Sequence, residues 1–115
     1  MEKVYDLEER TFLFAKSCRL TVKELPKTIS NIQDGKQLVR SSGSVGANYI
    51  EANEKLGDKD LIFRLKIARK EAKEAKYWLR LLKDQNKHFE GDFEKLIVEA
   101  DELRKILSAI IYKAQ

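Results

Sequence analysis

Residues 58–82 have the sequence DKDLIFRLKIARKEAKEAKYWLRLL. Apolar residues recur along this stretch at separations of four and three, which places them on one face of an α-helix. The positions are Leu61, Leu65, Ala68, Ala72, Ala75, Leu79 and Leu82. A helix with one continuous apolar face has to pack against other elements. The stretch therefore predicts a long amphipathic helix that starts near Asp58.

The same spacing extends into both flanks of this helix. The preceding helix is predicted to end at Gly57 and to bury Leu38, Ser42, Val45, Tyr49, Ala52 and Leu56. The following helix is predicted to bury Phe93, Leu96, Ala100, Leu103, Leu107, Ile110 and Ala114. Three long segments of this kind favour helix-on-helix packing.

A shorter helix is predicted at the start of the chain. Asp6 and Glu9 have the spacing of a capping box, and Pro26 cannot continue a helix. Between them, one apolar stripe is formed by Thr11, Phe14, Cys18, Val22 and Leu25. Residues 26–36 are expected to form a connection, with a short turn at residues 29–32. The sequence thus predicts an all-α, up-down antiparallel four-helix bundle.

Composition limits the class of protein. A chain of 115 residues with 43% hydrophobic residues, 1 Pro and 5 Gly predicts a single domain over residues 1–115 and disfavours disorder and an all-β fold. The lone Cys18 can close no internal disulfide. No signal peptide and no membrane-spanning segment is expected, so the predicted location is the cytoplasm and no membrane partner is expected.

Two motifs in residues 40–82 resemble those of a known family. The pattern SV-x-x-N-x-x-E falls at Ser44, Val45, Asn48 and Glu51. A second pattern, on the long helix, falls at Asp60, Ile67, Ala68, Glu71, Glu74, Tyr77, Trp78 and Leu79. The stretch is similar to the four-helix-bundle proteins encoded by intervening sequences of bacterial 23S rRNA genes, also described as S23 ribosomal protein-like. The resemblance implies a homo-oligomer, with a pentamer favoured, and no known catalytic activity. It also implies a relation to accessory proteins of diversity-generating retroelements, so a reverse transcriptase is a partner if such an element is adjacent.

A series of cations follows the long helix beside its apolar stripe. Spacings of three and four join Lys66, Arg69, Lys73, Lys76, Arg80, Lys83 and Lys87, which we call the basic ridge. Residues 59–88 hold ten Lys or Arg against four Asp or Glu, whereas residues 1–58 hold nine of each. A ridge of this kind can contact RNA or DNA phosphates. The alternative is a solvated face supported by local ion pairs, such as Lys70 with Glu74, or by acidic residues of the fourth helix.

Polar residues that border the core predict a structural network. Its candidate members are Arg40, Ser44, Asn48, Glu51, Glu71 and Glu74. Buried amides and carboxylates need partners, so Asn48 and Glu51 are expected to pair with arginines and fix the register of helices or subunits. Gly43 and Gly46 interrupt the same helix, and close packing inside one bundle is favoured over a ligand or subunit contact as their explanation.

The sequence offers little for catalysis or metal binding. His88 is the only histidine, and the Glu-x-x-His pairs of di-iron bundles are missing. No nucleophile is placed beside a paired carboxylate, so no enzyme activity, catalytic residue, metal or cofactor is expected. Tyr77 and Trp78 adjoin the basic ridge, where packing is favoured over base stacking.

The leading hypothesis is a non-enzymatic bundle that self-associates and presents the basic ridge to RNA or DNA. The alternative is a protein-interaction scaffold whose basic face meets an acidic partner. Ile62, Phe63 and Ile67 lie off the main stripe of the long helix, and this apolar surplus supports self-association.

Overall fold

A computed structural model describes residues 6–54 and 56–115 and confirms the four-helix bundle. The helices are α1 (Leu7–Glu24), α2 (Ile29–Ala52), α3 (Asp58–Gln85) and α4 (Glu90–Ala114), with a 3₁₀ turn at Lys87–Phe89 before α4. The described residues contain no β-strand. Successive helices run antiparallel; α3 packs along both α2 and α4, and α1 packs along α2 and, over a smaller area, α4.

The predicted stripes form the core. On α3, six of the seven predicted positions are buried and Leu61 packs at the edge of the core. On α1, Thr11, Phe14 and Cys18 are buried, as is Leu25 just after its end, and the Asp6 side chain accepts a hydrogen bond from the Glu9 N–H, which is one of the two bonds of the predicted capping box. On α4 the stripe shifts at its end, because Ile111 is buried while Ala114 is exposed. An α-helix has 3.6 residues per turn, so a strict seven-residue repeat drifts around it.

The prediction of a connection over residues 26–36 is wrong, since α2 already starts at Ile29. Thr28 caps this helix by accepting a hydrogen bond from the Asn31 N–H at 3.1 Å. The core stripe continues backwards through Asn31 and Gly35, which are buried. Asn31 is polar and Gly35 has no side chain, so the regular spacing of apolar residues does not reveal this part of the helix.

The predicted end of α2 at Gly57 is also wrong. The helix ends at Ala52, and the Asn53 N–H closes its last turn on the carbonyls of Tyr49 and Ile50. Leu56, predicted to be buried, is exposed beyond the helix. Gly57 instead precedes α3 with φ of 138°, a conformation that a side chain disfavours. The chain needs this turn to reverse direction, which a heptad pattern does not reveal.

Candidate functional site

The structure divides the basic ridge into two sets of cations. Its members are alternately three and four residues apart. Members two places apart in the series are therefore separated by seven residues, or almost two helical turns, and lie on the same side of the helix. Arg69, Lys76 and Lys83 are half-buried and lean toward α4. Lys66, Lys73, Arg80 and Lys87 are exposed. The two sets therefore have different surroundings although the sequence spacing treats them alike.

The three inner cations bind α4. Lys83 Nζ lies 2.6 Å from Glu94 Oε1, and Lys76 Nζ lies 3.4 Å from Asp101 Oδ1. Arg69 donates to the Ser108 hydroxyl at 3.4 Å. The ion pairs of Lys76 and Lys83 are those of the alternative interpretation of the ridge, in which acidic residues of the fourth helix pair with it.

The local charges shift two pKa values in the expected directions. The hydrogen bond to Glu94 is the main cause that raises the pKa of Lys83. Desolvation pushes the pKa of Asp101 upward, but the hydrogen bonds from Arg104 and Lys76 outweigh it, and the pKa is lowered. Both shifts favour the charged forms. The shifts of Lys83 and Asp101 therefore favour the ion pairs that join α3 to α4.

A second line of residues forms the outermost face of α3 and ends at Lys87 in the 3₁₀ turn that follows. Nine exposed positions at separations of four and three make up this outer line: Lys59, Phe63, Lys66, Lys70, Lys73, Tyr77, Arg80, Asp84 and Lys87. Six are cations and one is an anion. None of the six cations makes an ion pair with any residue of 6–54 or 56–115. The line thus presents uncompensated positive charge to solvent over about 32 Å between Lys59 and Arg80.

Lys59 and Lys70 do not belong to the basic ridge predicted from the sequence. The signal that could have found them is the helical position opposite the apolar stripe, because every member of the outer line lies well away from the core positions. The basic ridge shares Lys66, Lys73, Arg80 and Lys87 with the outer line, but its other three members lie nearer the apolar stripe. A shallow groove at the middle of the line is bordered by Lys66, Lys70, Lys73, Tyr77 and Trp78, together with Arg69 and Glu74.

The predicted polar network is brought together only in part. Arg40 Nη2 lies 2.8 Å from Glu74 Oε1 and 3.4 Å from Glu71 Oε1, which ties α2 to α3. Glu71 is buried, and Arg40 is its ion-pair partner across the two helices. The Asn48 side chain instead donates to the Ser44 carbonyl of its own helix at 2.9 Å. Glu51 is exposed and makes no ion pair within the described part of the chain.

Two buried asparagines form a contact that the sequence did not indicate. Each amide of Asn31 and Asn86 donates to the carbonyl oxygen of the other, at 2.9 and 2.8 Å. Their remaining N–H groups donate to the carbonyls of Pro26 and Leu82. The start of α2 is thereby fixed to the end of α3. This pair supports the fold and lies in the core, away from the outer line.

Cys18 and His88 show no catalytic arrangement. Cys18 is fully buried, and this burial raises the pKa of its thiol to about 12. His88 is exposed in the 3₁₀ turn, edge-on to Phe89. Within residues 6–54 and 56–115, no group of three His, Cys, Asp or Glu residues is placed to hold a metal ion. Over the same residues, no helix is both long and apolar enough to cross a bilayer.

Comparisons with known proteins found a matching family and a similar solved structure. The model of the 23S rRNA-intervening sequence protein family matches residues 4–109. A solved structure from Bacteroides thetaiotaomicron VPI-5482, described as a protein of unknown function from the S23 ribosomal protein family, is 31% identical with a TM-score of 0.79. The match covers 90% of this chain and 96% of that one. No curated protein matches the sequence.

Proposed function

Since the chain belongs to the 23S rRNA-intervening sequence protein family, we propose that it is a non-enzymatic bundle that binds nucleic acid through the outer line of α3. The observation that supports this proposal is the row of six exposed cations without ion-pair partners among the described residues. The cations of such a row neutralise phosphate groups and release the counterions condensed on the nucleic acid, which favours binding. The three inner cations are already hydrogen-bonded to α4, so we assign them to the bundle rather than to the ligand.

A charge-matched set of variants tests this assignment. The triple substitution Lys66→Ala, Lys73→Ala and Arg80→Ala removes three exposed charges from the outer line. The control Lys36→Ala, Lys95→Ala and Lys113→Ala removes three exposed charges from α2 and α4, away from the outer line. Binding of a labelled RNA is measured by fluorescence anisotropy over a range of salt concentrations.

We expect the outer triple to weaken binding at least about 10-fold, and to flatten the slope of log K against log salt by about 2 to 3. The control should change affinity by less than about threefold, because it alters only the long-range electrostatic field of the protein. Equal losses in both triples would reject the outer line as the site. If neither RNA nor DNA binds at low salt, the nucleic-acid proposal is wrong and the scaffold alternative takes its place.

We also propose that the chain self-associates, with the pentamer implied by the family resemblance as the expected number. The observation in favour is an apolar groove between α1 and α2, where Phe12, Leu20 and Ile50 are 58%, 52% and 43% exposed. Apolar surface of this kind is typical of a protein contact.

Light scattering after size exclusion measures the assembly directly. Phe12→Asp with Leu20→Asp should reduce the mass to that of the 13.4 kDa monomer, because a charge in an apolar interface is costly to desolvate. Val98→Asp, at an exposed apolar position of α4, is the control and should keep the wild-type mass. A wild-type monomer at all concentrations would reject self-association.

A further inference from the structure

The outer line contains two exposed aromatic residues with cations at the same sequence separations, although Arg64 Cζ also lies over the Phe63 ring, 5.9 Å from its centroid. Phe63 is 58% exposed, with Lys59 four residues before it and Lys66 three residues after it. Tyr77 is 55% exposed, with Lys73 and Arg80 at the same two separations. The same unit of cation, aromatic and cation thus occurs twice on one helix face. Lys70 lies midway between the two rings.

Neither ring is explained by the core of the bundle. Large aromatic side chains gain most from burial, and an exposed one on a charged face forgoes that gain. Both rings lie on a helix side opposite the apolar stripe, and Tyr77 borders the groove between Lys66, Lys70 and Lys73. Trp78 packs edge-on against Tyr77, with ring centroids 5.0 Å apart and an interplanar angle of 75°. This contact restricts the Tyr77 ring while more than half of its residue surface stays open to solvent.

From this arrangement, and resting on the proposed function, we infer that the outer line binds single-stranded rather than double-stranded nucleic acid, with Tyr77 and Phe63 as stacking platforms for unpaired bases. Single-strand sites combine cations that follow the backbone with aromatic rings on which bases stack. In a duplex the bases are already stacked on one another, and only phosphates would meet this face. The two rings are 14 residues apart, or about 21 Å, the length of roughly six stacked nucleotides.

The chain carries its own reporter for this interaction. Trp78 is the only tryptophan, and its ring contacts Tyr77. A base that stacks on Tyr77 changes the surroundings of Trp78, whereas a duplex held by phosphate contacts leaves them nearly unchanged. Intrinsic tryptophan fluorescence therefore separates stacking from simple electrostatic attraction.

The experiment compares a mixed-sequence RNA strand of about 12 nucleotides, roughly twice the ring-to-ring distance, with its duplex. Affinity is measured by anisotropy and stacking by Trp78 fluorescence. We expect the single strand to bind more tightly than the duplex and to change the fluorescence more strongly. Tyr77→Ala should weaken single-strand binding about 10-fold and leave duplex binding within about twofold, whereas Tyr77→Phe should retain wild-type affinity because it keeps the ring. Phe63→Ala should act in the same direction.

Tyr112→Ala is the matched control, because Tyr112 is an exposed tyrosine on α4. It should alter neither affinity. Equal binding of strand and duplex, or equal effects of Tyr77→Ala on both, would reject the stacking inference while the proposed nucleic-acid function stands. The stacking inference would also be rejected if the triple variant of Lys66, Lys73 and Arg80 lost binding while Tyr77→Ala bound the single strand as tightly as the wild type. No binding of either form would reject both proposals.

Discussion

Gly46 sets how closely α1 and α2 approach each other. A Cβ atom built at this position would lie 2.6 Å from the Thr11 hydroxyl oxygen and 3.1 Å from the Thr11 Cβ. Thr11 is buried, and its hydroxyl donates to the Glu8 carbonyl at 2.9 Å, so the side chain has little freedom to move away. The packing explanation for this glycine, favoured from the sequence, agrees with the contact.

Gly46→Ala should lower the free energy of unfolding by about 1–3 kcal/mol, because overpacking outweighs the better helix propensity of alanine. Gly91→Ala on α4 is the control, since a Cβ there meets no atom within 4 Å. The control should raise stability by up to about 1 kcal/mol. Urea denaturation measures both. Similar values for the two variants would contradict the close approach of α1 to α2.

At the scale of the helices, hydrogen bonds between elements decide the register that the apolar stripes leave open. Leu, Ala and Ile positions at separations of three and four fit several alignments of neighbouring helices. The pair of Asn31 and Asn86 fits only one, in which the first turn of α2 meets the last turn of α3. Arg10 and Glu99 similarly join α1 to α4 through two hydrogen bonds of 2.7 and 2.9 Å.

Asn31→Ala should cost about 1–3 kcal/mol of unfolding free energy, because it leaves the buried Asn86 amide without its partner. Gln33→Ala, an exposed position in the same turn of α2, should change stability by less than about 0.5 kcal/mol. Replacing both asparagines by leucine should cost less than Asn31→Ala alone, since no polar group is then left unpaired. Thermal and urea unfolding of the variants give the comparison. A double variant that loses more than the single one would contradict the paired-amide account.

The buried thiol of Cys18 makes the unfolding free energy of the whole molecule depend on pH in the alkaline range. Burial raises the pKa of the folded thiol from 9.0 to about 12. The folded state therefore holds this proton more tightly than the unfolded chain does. Its contribution to stability is complete below pH 9 and is lost as the pH rises from 9 to 12.

The free energy of unfolding should fall by about 2 kcal/mol from this group between pH 8 and pH 10.5, at 1.36 kcal/mol for each pH unit above 9. Cys18→Ala removes the thiol and should show a shallower dependence on pH over that range, whatever its stability at pH 8. Urea midpoints across the range measure the slope. Parallel curves for wild type and variant would show that the thiol does not titrate on unfolding in this range.

Sequence alone determined the helical class, the number of helices and nearly all of the core. Those follow from the period of apolar residues, as on α3, where the predicted stripe is the buried face. Tertiary structure decided where α2 begins and ends. Asn31 and Gly35 are buried against neighbouring parts of the bundle, and Gly57 adopts a positive φ, and the spacing of apolar residues reveals none of these features. Tertiary structure also decided which cations are available. Lys73 and Lys76 both belong to the basic ridge predicted from the sequence, but only Lys76 makes an ion pair with a carboxylate on α4. The paired carboxylate partly cancels the charge of Lys76, so this lysine attracts a phosphate less strongly than Lys73 does.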